Sequence, residues 1–305
     1  MNDQSGFQPL RQIYDEYLED RAAIVDPISA TNGPIMAGFT DLDELLGGIQ
    51  RSDLVIVGSR PALGNSTLAL NICVNAAKNG ATVGVFSLEM DRQELALRIL
   101  SSEAEIDSDR LRLGLLTNAE EQRVIDTIGH LSALSVYIDD DPYLRIVEIE
   151  SQTRRLSREH GLDLLVVDSL ELIQGLTWDE DNRVQEIGEI SRSLKGLARG
   201  LKVALIACSQ LSRMVENRPG HRPRLSDLYG SGSIEQDADV EMFIHREDVY
   251  TTEDEWEQQF PGRPYPKNIA DIIIAKHRNG PTGNLQLFFR DNLVRFDSFA
   301  RVDNF

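Results

Sequence analysis

One short stretch limits the folds available to this chain more than any other feature. Ser59-Arg60-Pro61-Ala62-Leu63-Gly64-Asn65-Ser66-Thr67 follows the phosphate-loop pattern G-x-x-x-x-G-K-[ST], except that Ser59 replaces the first glycine and Asn65 replaces the lysine. The apolar run Leu54–Val57 precedes the stretch, and a helical pattern follows it. Because strand, tight loop and helix is the context of such loops, the stretch predicts a phosphate-binding loop in an α/β fold. An ordinary strand-to-helix turn is the alternative, since the lysine is missing.

The loop residues can bind a nucleotide mainly through their backbone. Successive N–H groups and a helix N-terminus hold phosphate oxygens without any side chain. The predicted nucleotide-binding residues are Arg60, Pro61, Gly64, Asn65, Ser66 and Thr67, with the Ser66 hydroxyl as a ligand for Mg²⁺. Asn65 is shorter than lysine and neutral, and losing one such group costs roughly 3 kcal/mol of transition-state stabilisation. Nucleotide binding is therefore expected to survive in part, and hydrolysis is expected to fall by orders of magnitude.

Composition limits the binding partners and the cellular location that can be expected of this chain. The 305 residues carry a formal net charge of -19, so a nucleic-acid site has to be local rather than spread over the surface. Cys73 and Cys208 lie in apolar runs and are expected to be buried free thiols. No apolar stretch approaches the roughly 20 residues of a membrane span, and no signal-peptide pattern opens the chain. The expectation is a soluble protein of the cytoplasm.

Apolar strands alternate with helical patterns from residue 39 onward. Near-continuous Val/Ile/Leu strands separated by helices predict a mostly parallel sheet with helices on both faces, and turn-linked strands near the C terminus predict an antiparallel extension. The predicted strands are 54–57, 82–86, 135–138, 162–167, 203–208, 240–245, 270–275, 284–289 and 294–296. The predicted helices are 41–46, with Thr40 as its cap, 66–78, 91–101, 118–131, 144–159 and 184–199.

The chain divides into a linker segment and an α/β domain. Residues 1–35 are predicted to form a linker helix and a connecting segment, because an apolar helical stripe is followed by residues rich in Pro, Gly, Ser and Thr. The stripe consists of Leu10, Ile13, Tyr14, Tyr17 and Leu18. It packs either on its own domain or on a neighbouring subunit. Residues 36–305 form the domain itself.

Polar residues at the ends of the predicted strands are candidates for catalysis. Asp168 follows a buried strand, where a carboxylate holds Mg²⁺ in phosphate-loop enzymes, although a helix cap is the alternative. Glu89 can polarise an attacking water, and its alternative is a solvated surface acid. Gln210 can sense the γ-phosphate and pass its state to the adjoining loop, or it is a simple strand-end cap.

Two groups of basic residues are candidates for contacts with other molecules. Lys276 and Arg278 lie on one side of a predicted strand, and they are either cations offered to a neighbour's nucleotide or residues of a solvated edge strand. A basic loop of an otherwise acidic chain can follow a nucleic-acid backbone, or it is a flexible solvated loop. Its arginines are Arg213, Arg218, Arg222 and Arg224.

Several motifs in order resemble the motor domain of the DnaB family of replicative helicases, within the RecA-like fold of P-loop NTPases. The resemblance covers roughly residues 36–300. It rests on Gly38-Phe39-Thr40-Asp41-Leu42-Asp43, Phe86-Ser87-Leu88-Glu89-Met90, Val167-Asp168-Ser169-Leu170, Ser191-Arg192-Ser193-Leu194-Lys195, Ser209-Gln210-Leu211, Ser231-Gly232-Ser233-Ile234-Glu235-Gln236-Asp237-Ala238-Asp239 and Ala275-Lys276-His277-Arg278-Asn279-Gly280-Pro281.

The resemblance implies a hexameric ring that encircles single-stranded DNA and moves 5′ to 3′ while it hydrolyses ATP with Mg²⁺. Nucleotides then lie between subunits, so that Lys276 and Arg278 act in trans and the stripe of residues 10–18 docks on the next subunit. The DNA-facing segment is 212–232, including Tyr229, Gly230 and Gly232. A helicase loader and a primase are the partners that the family implies.

The chain departs from the family in ways that keep other functions open. Asn65 replaces the loop lysine, and Tyr229-Gly230 replaces an Arg-Glu pair near DNA. The family's N-terminal collar is not found, which is expected of a truncated chain or a short relative. The alternatives are a non-hydrolysing nucleotide-binding ring or regulatory DNA-binding module, and another RecA-like ATPase such as a recombinase or a clock-type protein. Intact Glu89, Asp168 and Gln210 favour the helicase interpretation.

Overall fold

The computed structural model describes residues 10, 11, 14, 33–175, 183–228 and 230–299. The chain falls into two compact units, residues 1–34 and 35–305. In the first unit, Leu10, Arg11 and Tyr14 are helical. The other residues of the predicted apolar stripe lie outside the described residues, so the linker helix and the division at residue 35 stay predictions.

A nine-stranded sheet forms the centre of the second unit in the described part of the chain. The strands run in the order β3-β2-β4-β5-β1-β6-β7-β8-β9; the pairs from β3 to β6 are parallel, and those from β6 to β9 are antiparallel. The strands are β1 Leu54–Ser59, β2 Val83–Ser87, β3 Val136–Asp139, β4 Leu164–Asp168, β5 Ala204–Gln210, β6 Val240–His245, β7 Ile269–His277, β8 Gly283–Arg290 and β9 Arg295–Ser298.

Helices cover both faces of this sheet. The helices in the described residues are α1 Thr40–Leu46, α2 Asn65–Lys78, α3 Arg92–Ala104, α4 Ser108–Arg112, α5 Asn118–Leu131, α6 Ile146–His160, α7 Arg183–Leu201, α8 Ser231–Asp237, α9 Glu247–Tyr250 and α10 Glu253–Gln259. None of them is long and apolar enough to cross a membrane.

Burial on two faces explains the continuous apolar runs of the central strands. Along β1, Val55 and Val57 join the cluster that contains Leu68 of α2, whereas Leu54 and Ile56 join the cluster that contains Leu194 of α7. Successive side chains of a strand point to opposite faces, so a strand between two helical layers needs apolar residues at every position. The sheet thus carries the loops at its carboxyl ends on a rigid base.

The predicted fold class is confirmed: the sheet is mostly parallel, is covered on both faces, and ends in antiparallel strands. The strands extend beyond their predicted ends by one or two residues at several places, whereas β6 coincides with its prediction. The proposed cap of α1 is wrong, because Thr40 is its first helical residue and Phe39 holds the cap position without a side-chain hydrogen bond. Cys73 and Cys208 are buried free thiols as predicted.

Buried charges close the amino ends of β1 and β6. Asp239 accepts hydrogen bonds from the backbone N–H of Leu54 at 2.8 Å and from the ammonium group of Lys195. Asp53 is 8% exposed and faces the charge of Asp239. Burial, and after it the Asp239 charge, raises the pKa of Asp53 to about 6.

Asp53→Asn is expected to stabilise the fold increasingly as the pH rises from 4 to 7. A carboxyl group whose pKa rises from 3.8 to about 6 on folding contributes stability at low pH and loses it as the pH rises through 6. The full effect is roughly 2–3 kcal/mol in the free energy of unfolding. Urea denaturation at several pH values measures it, with the exposed Asp126→Asn as control. A variant that is less stable than the parent at pH 8 contradicts this account of Asp53.

Candidate functional site

The predicted phosphate loop forms between β1 and α2. The strand ends at Ser59, the helix begins at Asn65, and the N–H of Leu68 donates to the Gly64 carbonyl at 2.8 Å. Gly64 has a φ of +109°, and a Cβ atom there would lie 2.8 Å from the ring of Phe296. Since both the backbone conformation and the space exclude a larger residue, this position requires glycine. Strand, tight loop and helix therefore follow each other as the sequence predicts.

An open cleft of about 610 Å³ lies over this loop. Its lining brings together most of the residues predicted for nucleotide binding and catalysis, namely Pro61, Gly64, Asn65, Ser66, Thr67, Glu89 and Gln210. They come from the carboxyl ends of β1, β2 and β5, which meet at one edge of the sheet. Ligands of open α/β sheets bind at this edge.

Asp168 lies beneath the cleft at the end of β4 and is 4% exposed. Burial raises the pKa of Asp168, a hydrogen bond with Ser66 opposes this rise, and the charge of Glu89 adds to it. The buried Oδ1 atom of Asp168 has no hydrogen-bond partner within the described part of the chain. A carboxylate with a free oxygen beside a hydroxyl group fits Mg²⁺, which takes one or two protein ligands together with phosphate and water. Among the described residues, no cluster of His, Cys, Asp and Glu offers an all-protein metal cage.

The cleft also holds cations that the sequence analysis missed. Arg98 of α3 and Arg112 of α4 line it and are the basic residues of its lining in the described part of the chain. Burial raises the pKa of Asp168 and the charge of Arg98 opposes that rise, so the Arg98 guanidinium group acts at the Asp168 end of the cleft. Both arginines lie on helices with ion-pair partners, Glu94 and Asp109, and sequence spacing alone did not distinguish them from surface residues.

Glu171 is a third residue near the cleft that the sequence did not point to. Its Oε1 atom accepts hydrogen bonds from the Ser209 hydroxyl at 2.5 Å and from the backbone N–H of Gln210 at 3.0 Å. Burial raises the pKa of Glu171, which these hydrogen bonds oppose. Glu171 therefore fixes the backbone at the end of β5, from which Gln210 reaches the cleft. Its position three residues after Asp168 was the available signal.

Arg60 lies apart from the other loop residues. Its guanidinium group donates to the Leu211 carbonyl at 2.7 Å and to Glu216 at 2.8 Å, and it does not line the cleft. Leu211 in turn donates its N–H to the Ser59 carbonyl at 2.8 Å. These hydrogen bonds connect the phosphate loop to the start of the segment predicted to face DNA, and the Arg60 side chain makes two of them.

The basic loop is ordered by two of its four arginines. Arg218 forms a bidentate pair with Asp227, both contacts at 2.9 Å, and Arg222 pairs with Asp271 at 2.7 Å. Within the described residues, Arg213 and Arg224 are exposed and form no ion pair. A bridge between Leu211 and Leu228 closes the loop. The alternative of a flexible, wholly solvated loop does not fit these contacts.

The end of this segment leads into α8. Tyr229 lies outside the described residues. Gly230 occupies the cap position of α8 with a φ of +74°, and Gly232 is exposed in its first turn. The helix therefore begins where the predicted DNA-facing segment ends.

Lys276 and Arg278 lie beside the amino end of β6. The cleft lies at the opposite, carboxyl ends of the parallel strands. The Lys276 ammonium group donates to the carbonyls of Glu235 and of Ala238, the latter at 2.6 Å, and Arg278 donates to the carbonyl of Gln236 at 2.6 Å. Because β7 is paired with β6 and β8, the edge-strand interpretation is wrong. Neither cation lines the cleft of its own chain.

The fold and the cleft define a P-loop NTPase with a RecA-like sheet and an extra antiparallel edge. Residues 34–298 match the family described as DnaB-like helicase C-terminal domain, and the chain belongs to this family. The resemblance found in the motifs is thereby confirmed.

Relatives and solved structures agree with this assignment. The replicative DNA helicase DnaB of Geobacillus stearothermophilus is 47% identical over 268 residues, which cover 88% of this chain and 57% of the relative. The replicative DNA helicase DnaC of Bacillus subtilis strain 168 is 46% identical over 304 residues, 97% of this chain and 63% of the relative. The chain thus spans about three-fifths of the length of these relatives.

Two solved structures share the fold at TM-scores above 0.8. One of them, a solved ATPase domain, superposes with a TM-score of 0.83 at 31% identity, covering 97% of this chain and all of that one. A DnaB-like replicative helicase studied with primase gives 0.82 at 32% identity, covering 98% of this chain and 69% of that one.

Proposed function

We propose that this chain is the motor domain of a replicative DNA helicase, which binds Mg²⁺-ATP between subunits and moves 5′ to 3′ along single-stranded DNA. One observation carries the proposal. The phosphate loop, Glu89 and Gln210 line one cleft with Asp168 beneath it, whereas Lys276 and Arg278 lie at the opposite ends of the strands. A subunit built in this way has half of a nucleotide site on each side, which fits a ring with head-to-tail contacts.

Each residue of the cleft has a chemical role in this proposal. Ser66 and Asp168 hold Mg²⁺, which supplies positive charge to the phosphate oxygens when it is bound. Glu89 orients the attacking water and accepts its proton. Gln210 contacts the γ-phosphate from a backbone that Glu171 fixes. The exposed Arg213 and Arg224 contact the DNA backbone, which carries no sequence information.

The missing lysine sets the expected rate. Asn65 lines the cleft at the first residue of α2, where a longer cationic side chain would reach the phosphates. Impaired hydrolysis is therefore part of the proposal. The same observation favours a second candidate, a ring that binds nucleotide and DNA but does not hydrolyse ATP.

The assembly and partners follow from the same arrangement. A homo-hexamer places the cations of one subunit at the nucleotide of the next. A primase is proposed as a partner because a structural neighbour was solved as a DnaB-like helicase with its primase interactions. We also propose a helicase loader as a partner and the cytoplasm as the site of action. In the ring, residues 10–18 dock on the next subunit.

Strand displacement on tailed duplexes tests the proposed function. In the Asn65→Lys chain, which restores the loop lysine, we expect ATP-dependent unwinding of a duplex with a 5′ single-stranded tail and none with only a 3′ tail, because the motor moves in one direction. The parent chain is expected to unwind the same duplex about 100- to 1000-fold more slowly. Asp168→Asn, which removes the metal ligand, is the inactive control. Nucleotide and DNA binding with no unwinding, even after Asn65→Lys, would instead establish the non-hydrolysing ring.

A further inference from the structure

A fully buried carboxylate lies next to one of the cations that we assign to the neighbouring site. Glu241 belongs to β6, where it is paired with Ile56 of β1 on one side and with Lys276 of β7 on the other. Its side chain is 0% exposed, and neither carboxylate oxygen has a hydrogen-bond partner among the described residues. The Lys276 ammonium group lies 3.8 Å from its Oε1 atom.

A buried carboxylate of this kind lowers the stability of the fold. A buried carboxylate without hydrogen bonds carries a desolvation penalty that a single ion pair at this distance does not offset. An apolar side chain at this position, which is paired with the buried Ile56 of β1, would avoid that penalty. The stability of the sheet therefore does not account for Glu241.

Lys276 is held from two sides. Its ammonium group donates hydrogen bonds to the carbonyls of Glu235 and Ala238 around the end of α8, and Glu241 supplies a negative charge on the other side. An ammonium group has three donors, and two are used by these carbonyls. One donor remains for a phosphate oxygen.

We propose that Glu241 is a positioning residue for Lys276, which restrains the ammonium group against α8 and offsets its charge until a neighbour's nucleotide engages it. The proposal rests on the function proposed above. With Glu241 ionised, the pair presents little net charge to a triphosphate. With Glu241 protonated, Lys276 presents a full positive charge, so the nucleotide binds more tightly.

Protonation of Glu241 is accessible near neutral pH. Burial raises the pKa of Glu241 to about 7, the charge of Lys276 opposes this rise, and the charge of Glu235 adds to it. Among the described residues, the charged groups that act on Glu241 are thus Lys276 from β7 and Glu235 from α8, while its partner in β1 is the apolar Ile56. Proton uptake by Glu241 below pH 7 therefore removes the negative charge beside Lys276 and leaves its two carbonyl hydrogen bonds in place. This effect is lost as the pH rises through 7.

The affinity of the assembled full chain for a fluorescent, non-hydrolysable ATP analogue with Mg²⁺ tests this role. If phosphate engagement of Lys276 raises the pKa of Glu241 by about one unit, the parent binds about sevenfold more weakly at pH 8.5 than at pH 6. Glu241→Gln is expected to bind at both pH values as tightly as the parent at pH 6. The phosphate groups of the analogue also titrate in this pH range. Their effect is the same for both chains and cancels when the affinity of the variant is divided by that of the parent at each pH.

A double-mutant cycle separates positioning from a structural effect. Lys276→Met is expected to bind weakly at both pH values, and adding Glu241→Gln to it is expected to change nothing further. Asp53→Asn, another buried acid with a raised pKa, is the matched control and keeps the pH profile of the parent. Thermal unfolding checks each variant, and Glu241→Leu replaces Glu241→Gln if the latter does not fold.

The outcomes that overturn the proposal are distinct. If Glu241→Gln retains the pH dependence of the parent, or still alters affinity in the Lys276→Met chain, Glu241 does not act through Lys276. If the parent fails to bind the analogue at any pH, that result contradicts the proposed function itself and, with it, the role of Glu241.

Discussion

Replacing Asn65 by lysine is expected to raise DNA-stimulated ATP turnover by about 100- to 1000-fold. Glu89 and Gln210 line the cleft and Asp168 lies beneath it. The group that the catalytic site lacks is therefore one positive charge at the phosphates. A lysine at the first residue of α2 points into the cleft and reaches the oxygens that gain charge in the transition state. Steady-state phosphate release with saturating single-stranded DNA measures the change.

A lysine placed elsewhere on the same helix is the matched control for this experiment. Asn79→Lys adds the same charge at the exposed C-cap of α2, outside the cleft, and is expected to leave turnover unchanged. If the parent chain already turns over as fast as Asn65→Lys, then Arg98 and Arg112 replace the missing cation, and the assignment of impaired hydrolysis is wrong.

Arg278→Ala is expected to lower ATP turnover by roughly 1000-fold, measured in chains that also carry Asn65→Lys. An arginine supplied by a neighbouring subunit stabilises the charge that develops on the transferred phosphoryl group. The backbone N–H of Arg278 donates to the Asp239 carbonyl at 2.8 Å. Its guanidinium group lies at the amino ends of the parallel strands, where among the described residues it contacts the Gln236 carbonyl and, at 3.7 Å, the Asp239 carboxylate.

A surface arginine of the adjoining strand controls for this loss. Arg290→Ala on β8 removes a guanidinium group that pairs with Asp297, and turnover is expected to stay close to the parent's. An Arg278→Ala chain that folds, assembles and keeps full turnover contradicts the trans role.

Much of the fold could be predicted from the sequence because it follows from burial. Runs such as Leu54–Val57 are apolar at every position, which only a strand between two helical layers requires. The short helices α4, α8, α9 and α10 were not predicted, because each is too short for a periodic pattern and depends on tertiary contacts.

The site was predicted where backbone geometry and strand ends determine it. The phosphate loop and Asp168 lie where their sequence context places them. Arg98, Glu171 and Glu241 were missed, because their importance comes from neighbours distant in sequence rather than from local spacing. Arg60 was assigned to the nucleotide because it sits in the loop motif, but its side chain reaches Glu216 and Leu211 across the domain.

Mixing two inactive variants tests most directly whether neighbouring subunits share each nucleotide. Asp168→Asn removes the metal ligand of a subunit's own cleft, and Arg278→Ala removes the cation that it offers to the next; both chains carry Asn65→Lys. In a randomly mixed head-to-tail ring, about one quarter of the junctions combine an intact cleft with an intact cation. We expect ATP turnover to reappear on mixing, up to about that fraction of the Asn65→Lys rate. A mixture that stays as inactive as its components, although the two chains co-assemble, contradicts the shared site.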